Sequence, residues 1–262
     1  MKNTQNHGSA IGEAIGSTIE KALHKSLSKI CTNLNFELIT KGGSKQESRS
    51  STKKLLISDE EGVKYNLDGI VVNSRRQPII LLESKWIRYK KHNRDKGSWI
   101  ANSHREIKKR YPTIRGSLAL LAGEWSKPSL EMLEQAQITV IRIEFDEVAN
   151  RLLKDGIDIR WEEKDRSKSE KAWLEFQKLD YDQINSIGSD LIKLVQTELE
   201  TFMEVISKPR QVLDISSLSI SIEESGGWLR SRRFNSVADA INFLKNINVK
   251  EIFSTQNGPS ID

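Results

Sequence analysis

Residues 65–72 read YNLDGIVV and residues 79–85 read IILLESK. Both stretches are rich in isoleucine, leucine and valine, as is typical of buried β-strands. They predict two strands, the first from about 63 to 72 and the second from about 78 to 86. The polar residues 73–77 predict a short turn between them, so we expect the two strands to pair.

Three ionisable side chains interrupt or close these apolar runs: Asp68 in the first, and Glu83 and Lys85 in the second. Side chains alternate along a strand, so Glu83 and Lys85 share one face, and pairing brings Asp68 close to Glu83. Two buried carboxylates form an oxygen site of the kind that Mg²⁺ accepts. Lys85 beside them could orient and help to deprotonate a water molecule, which points to metal-assisted hydrolysis of a phosphodiester. In the alternative interpretation Asp68 ends a strand or caps a turn, and Glu83 and Lys85 form an ordinary ion pair.

A helix precedes these strands, and helices and strands alternate after them. Apolar residues recur at three- and four-residue spacing from about Ile11 to Thr32, which predicts an amphipathic helix. The elements expected after the strands are a helix at about 99–111, a strand at 117–122, a helix at 129–136 and a strand at 138–145. Because strand–helix–strand alternation favours parallel pairing, the first half is predicted to be α/β with a mixed sheet.

The composition changes near residue 162, and residues 162–171 are almost all charged or serine. We therefore predict a first domain at 1–162 and a C-terminal α+β module at 163–262. The elements predicted for this module are helices at about 169–178 and 181–207, hairpin strands at 217–223 and 228–234, and a last helix that begins near Val237.

Charge is concentrated in one part of the chain. The formal net charge is +5, yet the window from Lys85 to Arg110 holds ten basic residues and two acidic ones, a local charge of +8. A basic window of this kind indicates a polyanion partner such as DNA, and the alternative is a solvated helix face. The candidate DNA contacts are Arg88, Lys90, Lys91, Arg94, Lys96, Arg105 and Lys108, together with Arg230, Arg232 and Arg233 of the second hairpin strand.

With Asp68, the 14-residue gap and Glu83-Ser84-Lys85, the sequence resembles the PD-(D/E)xK nuclease superfamily, which contains most type II restriction endonucleases. The resemblance covers about residues 10–145, and Leu67 stands where the family pattern has proline. It implies a three-layer restriction-endonuclease-like core with a central mixed sheet. It also implies that Asp68 and Glu83 bind Mg²⁺ and that Lys85 acts on the water. The family often adds an acid from the first helix, for which Glu20 is the best match and Glu13 the rival.

The resulting expectation is a Mg²⁺-dependent endonuclease for double-stranded DNA, most simply a type II restriction enzyme that acts as a homodimer. The alternatives are a structure-specific or repair nuclease of the same fold, and a non-catalytic DNA-binding protein.

The remaining features concern compartment and minor sites. The single cysteine, Cys31, excludes an internal disulfide and a multi-cysteine metal site. The sequence shows no apolar stretch long enough for a membrane span and no signal-peptide segment, so we expect a cytoplasmic protein without membrane contact. The four histidines show no metal-ligand spacing, and His104 is expected to be exposed.

Overall fold

The computed structural model describes residues 6–40, 55–89, 93–162, 165–208, 217–223 and 229–248. The chain divides into two compact units, Met1–Lys208 and Pro209–Asp262. The described helices of the first unit are α1 (His7–Asn33), α2 (Asn93–Arg110), α3 (Lys127–Gln135), α4 (Phe145–Leu153), α5 (Arg166–Gln177), α6 (Tyr181–Leu194) and α7 (Gln196–Ser207). Its described strands are β1 (Glu37–Ile39), β2 (Leu55–Ser58), β3 (Lys64–Leu67), β4 (Gly69–Val72), β5 (Pro78–Ile87), β6 (Gly116–Gly123) and β7 (Thr139–Glu144).

A five-stranded mixed sheet in the order β1-β4-β5-β6-β7 forms the centre of the first unit. The β1–β4 and β4–β5 pairs are antiparallel, whereas β5–β6 and β6–β7 are parallel. Parallel neighbours need a crossover connection, and α2 and α3 lie in these two connections. The predicted mixed α/β architecture is thus confirmed.

Helices cover both faces of the sheet. Helix α1 begins where the Asn6 side chain accepts a hydrogen bond from the Ser9 backbone N–H, which caps the helix. Its buried stripe packs into the main core and consists of Ile11, Ile15, Ile19, Leu23, Leu27 and Cys31. On the opposite face, Ile100 and Ile107 of α2 pack against residues of β5 and β6. The first unit therefore has a helix–sheet–helix arrangement.

Several predicted boundaries were wrong. The strand expected at about 63–72 is two strands, β3 and β4, separated by a bend at Asp68. Strand β3 pairs with β2 in a small sheet of its own, while β4 joins the central sheet. The helix expected at 181–207 is also divided, because Val195 leaves the helical conformation between α6 and α7. Elements β1, β2 and α4 were not predicted.

The predicted domain boundary at residue 162 differs from the division in the structure, which lies after Lys208. Helices α5 and α6 both pack on α1, and Phe176, Ile187 and Leu199 belong to the same core as the central sheet. The charged, serine-rich stretch therefore leads into α5 and includes its first residues, so it belongs to the first unit. The composition predicts an exposed stretch. A linker between domains and a surface segment within one domain are both exposed, so composition does not distinguish them.

The second unit contains an antiparallel hairpin of β8 (Leu218–Glu223) and β9 (Leu229–Phe234), followed by α8 (Val237–Lys245). Phe234 and Phe243 pack together with ring centroids 5.1 Å apart. Ser236 caps α8 by accepting a hydrogen bond from the Asp239 backbone N–H. The hairpin and final helix agree with the sequence prediction. Across the described parts of the whole chain, we find no helix with the length and apolarity that a membrane span requires.

Candidate active site

Asp68, Glu83 and Lys85 converge at the point where β3 gives way to β4. Gly69 pairs with Leu82, so Asp68 at the bend lies next to Glu83 on the neighbouring strand. Lys85 Nζ lies 2.6 Å from Asp68 Oδ2 and 2.5 Å from Glu83 Oε2. The Ser84 backbone N–H donates a further 2.8 Å hydrogen bond to Asp68 Oδ2. The predicted proximity of the three side chains is present in the structure.

Burial and mutual charge set the protonation of this cluster. The Glu83 side chain is fully buried, and burial raises the pKa of its carboxyl well above the ordinary value. Burial also opposes ionisation of Asp68, but the Lys85 charge and the hydrogen bonds outweigh it and hold the pKa of Asp68 below its usual value. Burial would lower the pKa of Lys85, yet the Glu83 and Asp68 carboxylates raise it. The cluster therefore holds a charged lysine against an ionised Asp68.

The donor set fits a hard divalent cation. The Lys85 ammonium lies between one oxygen of Asp68 and one of Glu83, so these oxygens already face a common positive charge. Two carboxylates with water completing the shell are the ligands that Mg²⁺ prefers. A preassembled group of three or more His, Cys, Asp or Glu side chains is absent from the described residues. A cation here would thus depend on Asp68, Glu83 and water or phosphate oxygens.

The structure distinguishes between the two candidate acids of α1. Glu20 is partly buried, and the pKa of its carboxyl is raised by burial and by the negative charge of Asp68, with Lys85 acting in the opposite direction. Glu20 is therefore electrostatically coupled to the cluster. Glu13 lies about two turns earlier and is exposed. Of the two, Glu20 is the partly buried one, and its part as the third acid stays a prediction.

A groove of about 1690 Å³ leads to the cluster. Its walls are the first half of α1, residues 84–89 at and just after the end of β5, Lys96 of α2, and five residues that follow α4: Ile159, Trp161, Arg166, Ser169 and Glu170. Lys85, Glu20 and Glu13 all line it. The Trp86 ring packs beside Gly12 and Gly16 of α1 and is stacked with Phe145 at 6.1 Å, so it forms a wall of the groove.

The basic window does not form one surface. Lys96 lines the groove and Arg94 is exposed. Arg88, in contrast, places its guanidinium 3.6 Å from the Trp161 ring centroid and donates a hydrogen bond to the Trp161 carbonyl. Arg88 therefore joins the end of β5 to the segment after α4, and this contact competes with a role in DNA binding.

The other predicted DNA contacts of the window have mixed surroundings. Arg105 donates hydrogen bonds to Glu106 and Asn102, and Lys108 to the Gln137 carbonyl at 3.4 Å. Burial lowers the pKa of Lys108. Lys90 and Lys91 lie outside the described residues.

Three predicted contacts lie in the second unit. Arg230, Arg232 and Arg233 are exposed on β9. The Arg232 guanidinium lies over the Phe234 and Phe243 rings, 5.7 Å and 5.1 Å from their centroids. Part of this basic cluster thus stabilises its own hairpin.

His104 is the residue near the site that sequence reasoning missed. Its expected exposure was wrong, because the side chain is buried on α2 between Ile100 and Ile107. Burial lowers the pKa of His104 to about 3, with contributions from the Lys108 and Lys85 charges and opposition from Asp68. The spacing of 100, 104 and 107 is a helical periodicity that could have indicated a buried position.

Comparisons with known proteins do not identify a family or a function for this chain. No protein-family model matches the chain, and no curated protein matches it. Among solved structures, the chain is similar to a crystal structure of a protein of unknown function, AF1548, with 10% sequence identity and a TM-score of 0.32. The match covers 72% of this chain and 98% of that chain. Similarity at this level assigns neither fold nor function.

Proposed function

We propose that the protein is a Mg²⁺-dependent endonuclease that hydrolyses phosphodiester bonds in double-stranded DNA, with a restriction-endonuclease-like core in its first unit. The observation that carries the proposal is the contact of one ammonium, that of Lys85, with both Asp68 and Glu83 at the end of a groove. Burying a carboxylate costs free energy unless the carboxylate is paired with a positive charge. A cluster of carboxylates and a lysine with shifted pKa values beside a groove is more typical of a catalytic site than of an ion pair that only stabilises the fold.

Each side chain has a defined part in this proposal. Asp68 and Glu83 would hold the cation, and a bound Mg²⁺ would lower the pKa of a water molecule and stabilise charge at phosphorus. Lys85, displaced from the carboxylates but still beside them, orients that water and donates a hydrogen bond to the developing negative charge. Glu20, which lines the groove, would add a third acid from α1.

The finer assignment is a type II restriction enzyme acting as a homodimer, since palindromic cleavage of both strands suits a two-fold symmetric assembly. The second unit, with Arg230, Arg232 and Arg233, would assist DNA recognition or subunit pairing. A cytoplasmic location stays a prediction. A structure-specific or repair nuclease and a non-catalytic DNA-binding protein are the competing functions.

Digestion of supercoiled plasmid with the full chain in Mg²⁺, against EDTA, tests the proposal. Discrete linear fragments support restriction. Cleavage confined to branched or flapped oligonucleotides favours a repair nuclease, whereas DNA binding in Ca²⁺ without cleavage in Mg²⁺ or Mn²⁺ contradicts the catalytic proposal. Glu83→Gln is the matched control, because it removes one charge and retains the shape of the side chain.

A further inference from the structure

On α2, β5 and β6, three buried polar groups of the described residues lack a hydrogen-bond partner. They are Glu83 Oε1, both ring nitrogens of His104, and Ser117 Oγ. A buried donor or acceptor left unpaired is costly, and native structures rarely retain several. Finding three of them on neighbouring elements suggests that they pair with one another.

The packing of α2 on the sheet places His104 over the catalytic end of β5. Ile107 packs in the same cluster as Leu81, and Ile100 packs in the same cluster as Ile87. His104 lies between these two contacts on the same buried face of α2, so it stands over the part of β5 from Glu83 to Lys85. The effects of the Asp68 and Lys85 charges on the pKa of His104 agree with this proximity.

Ser117 lies on the same face of the sheet. In the parallel pair of β5 and β6, Leu81 is opposite Ser117 and Glu83 is opposite Ala119. Ala119 packs with Ile100, so this face is the one that α2 covers. Glu83 and Ser117 are therefore diagonal cross-strand neighbours beneath His104.

We propose that His104 is a positioning residue for Glu83: its neutral ring accepts a hydrogen bond from Ser117 Oγ–H and donates its N–H to Glu83 Oε1, directly or through one buried water. A neutral imidazole has one donor and one acceptor nitrogen, which matches one hydroxyl and one carboxylate. Burial keeps the ring neutral over the working pH range. Neither bond is formed directly in the described structure, so the chain forms by side-chain rotation or through a buried water.

The consequence for the site is a fixed Glu83 carboxylate. With Oε1 held by His104, Oε2 is directed towards Lys85 Nζ, the position where positive charge already lies between Glu83 and Asp68. Hydrogen bonds to ligating carboxylates typically raise metal affinity or activity by about 10–100-fold. This functional consequence rests on the proposed nuclease activity, whereas the hydrogen-bond chain itself does not.

Nitrogen NMR of ¹⁵N-histidine-labelled full chain, without metal, tests the hydrogen bonds independently of activity. The resonances of His104 are identified by their loss in His104→Gln. We expect one neutral tautomer, and movement of both ring shifts in Glu83→Gln and in Ser117→Ala. Glu20→Gln, which removes an acid from the other side of the site, should leave them in place. Two populated tautomers would overturn the proposal, and so would His104 nitrogen chemical shifts that are unchanged in Glu83→Gln.

Cleavage kinetics then separate a positioning role from simple packing. His104→Phe should lower kcat by about 10–100-fold and raise the Mg²⁺ concentration for half-maximal rate, with KM for DNA unchanged. His104→Gln keeps a donor and should recover part of the activity, and equal impairment of both variants contradicts the proposal. If His104→Phe does not fold, Ser117→Ala provides the same test with a nearly isosteric change. If the wild-type chain cleaves no DNA, the nuclease proposal fails and the NMR result still decides the hydrogen-bond chain.

Discussion

The Lys85 ammonium lies 2.6 Å from Asp68 Oδ2, although the bend between β3 and β4 separates Asp68 from the strand that pairs with β5. Pairing of Gly69 with Leu82 brings the two side chains together. In the metal-free chain Lys85 supplies the positive charge that offsets the buried carboxylates. A divalent cation bound to Asp68 and Glu83 would compete with Lys85 and release its ammonium beside the reacting phosphate.

Replacing Lys85 with methionine should abolish cleavage without abolishing metal binding. Lys85→Met removes the charge but retains most of the stem, so we expect single-turnover cleavage to fall by about 10²–10⁴-fold, the range for loss of a proton-transfer group. Asp68→Asn and Glu83→Gln should lower the rate at least as much, because they remove metal ligands. Wild-type-like cleavage by any of the three folded variants would rule out the assignment.

Glu20 and Glu13 form a matched pair for testing the third acid. Both lie on α1 and line the groove, but Glu20 is partly buried and its pKa responds to Asp68 and Lys85, whereas the side chain of Glu13 is exposed. Glu20→Gln should therefore lower the cleavage rate by about tenfold or more, as expected for a residue that supports a metal site, while Glu13→Gln should leave it unchanged. Rates measured over a Mg²⁺ titration distinguish the two, and a reversed order would assign the role to Glu13.

Glu83 should destabilise the metal-free protein as the pH rises. Burial raises the pKa of the folded-state carboxyl above its ordinary value of 4.5, so the folded chain retains a proton that the unfolded chain loses. The free energy of unfolding of wild type, relative to Glu83→Gln, should fall from about pH 4.5 upwards until the folded-state pKa is passed.

Denaturant unfolding of both proteins at several pH values, in EDTA, measures this difference. Added Mg²⁺ should restore wild-type stability at neutral pH, because a ligand that binds only the folded state stabilises it, and it should have little effect on Glu83→Gln. A stability difference that is constant with pH would contradict the raised pKa.

Two exposed residues of the basic window, Arg94 and Lys96, should contribute affinity without sequence specificity. Arg94→Ala combined with Lys96→Ala should flatten the slope of log affinity against log salt by about 0.9 for each phosphate that is no longer neutralised. Binding to cognate and unrelated DNA should weaken equally, because phosphates carry no sequence information. Lys154→Ala, an exposed lysine at the end of α4, is the control with the same charge change per residue. Salt titrations in Ca²⁺ measure the slopes, and equal slopes for all proteins would mean that this window is a solvated surface.

The thiol of Cys31 should be inert in the folded protein. Burial raises its pKa to about 12, and the side chain packs in the main core. Thiolate is the reactive form, so thiol reagents should modify the chain only after it unfolds. Cleavage should survive prolonged treatment with such a reagent, and rapid loss of activity under native conditions would reopen a role for the cysteine.

Local patterns were sufficient for the elements that carry their own signal. The isoleucine and leucine stripe of α1 and the apolar runs of β5 and β6 were recognised because their spacing reflects burial of one helix face or of both strand faces. The bend at Asp68 is not predicted by the sequence. It occurs where β3 leaves the central sheet to pair with β2, and β2 itself is not predicted as a strand. The helices α5 and α6 were assigned to the wrong domain, because docking on α1 depends on shape and not on composition.

The sequence by itself determined the α/β class, the mixed sheet and the proximity of Asp68, Glu83 and Lys85, since these follow from strand alternation and one short turn. Only the tertiary structure shows that Glu20 is partly buried and Glu13 exposed, that Arg88 contacts Trp161, and that His104 is buried on α2. Those outcomes depend on how separate elements pack, and side chains far apart in the chain meet only after that packing is complete. Burial and charge coupling depend on these tertiary contacts, so they cannot be predicted from spacing along the sequence.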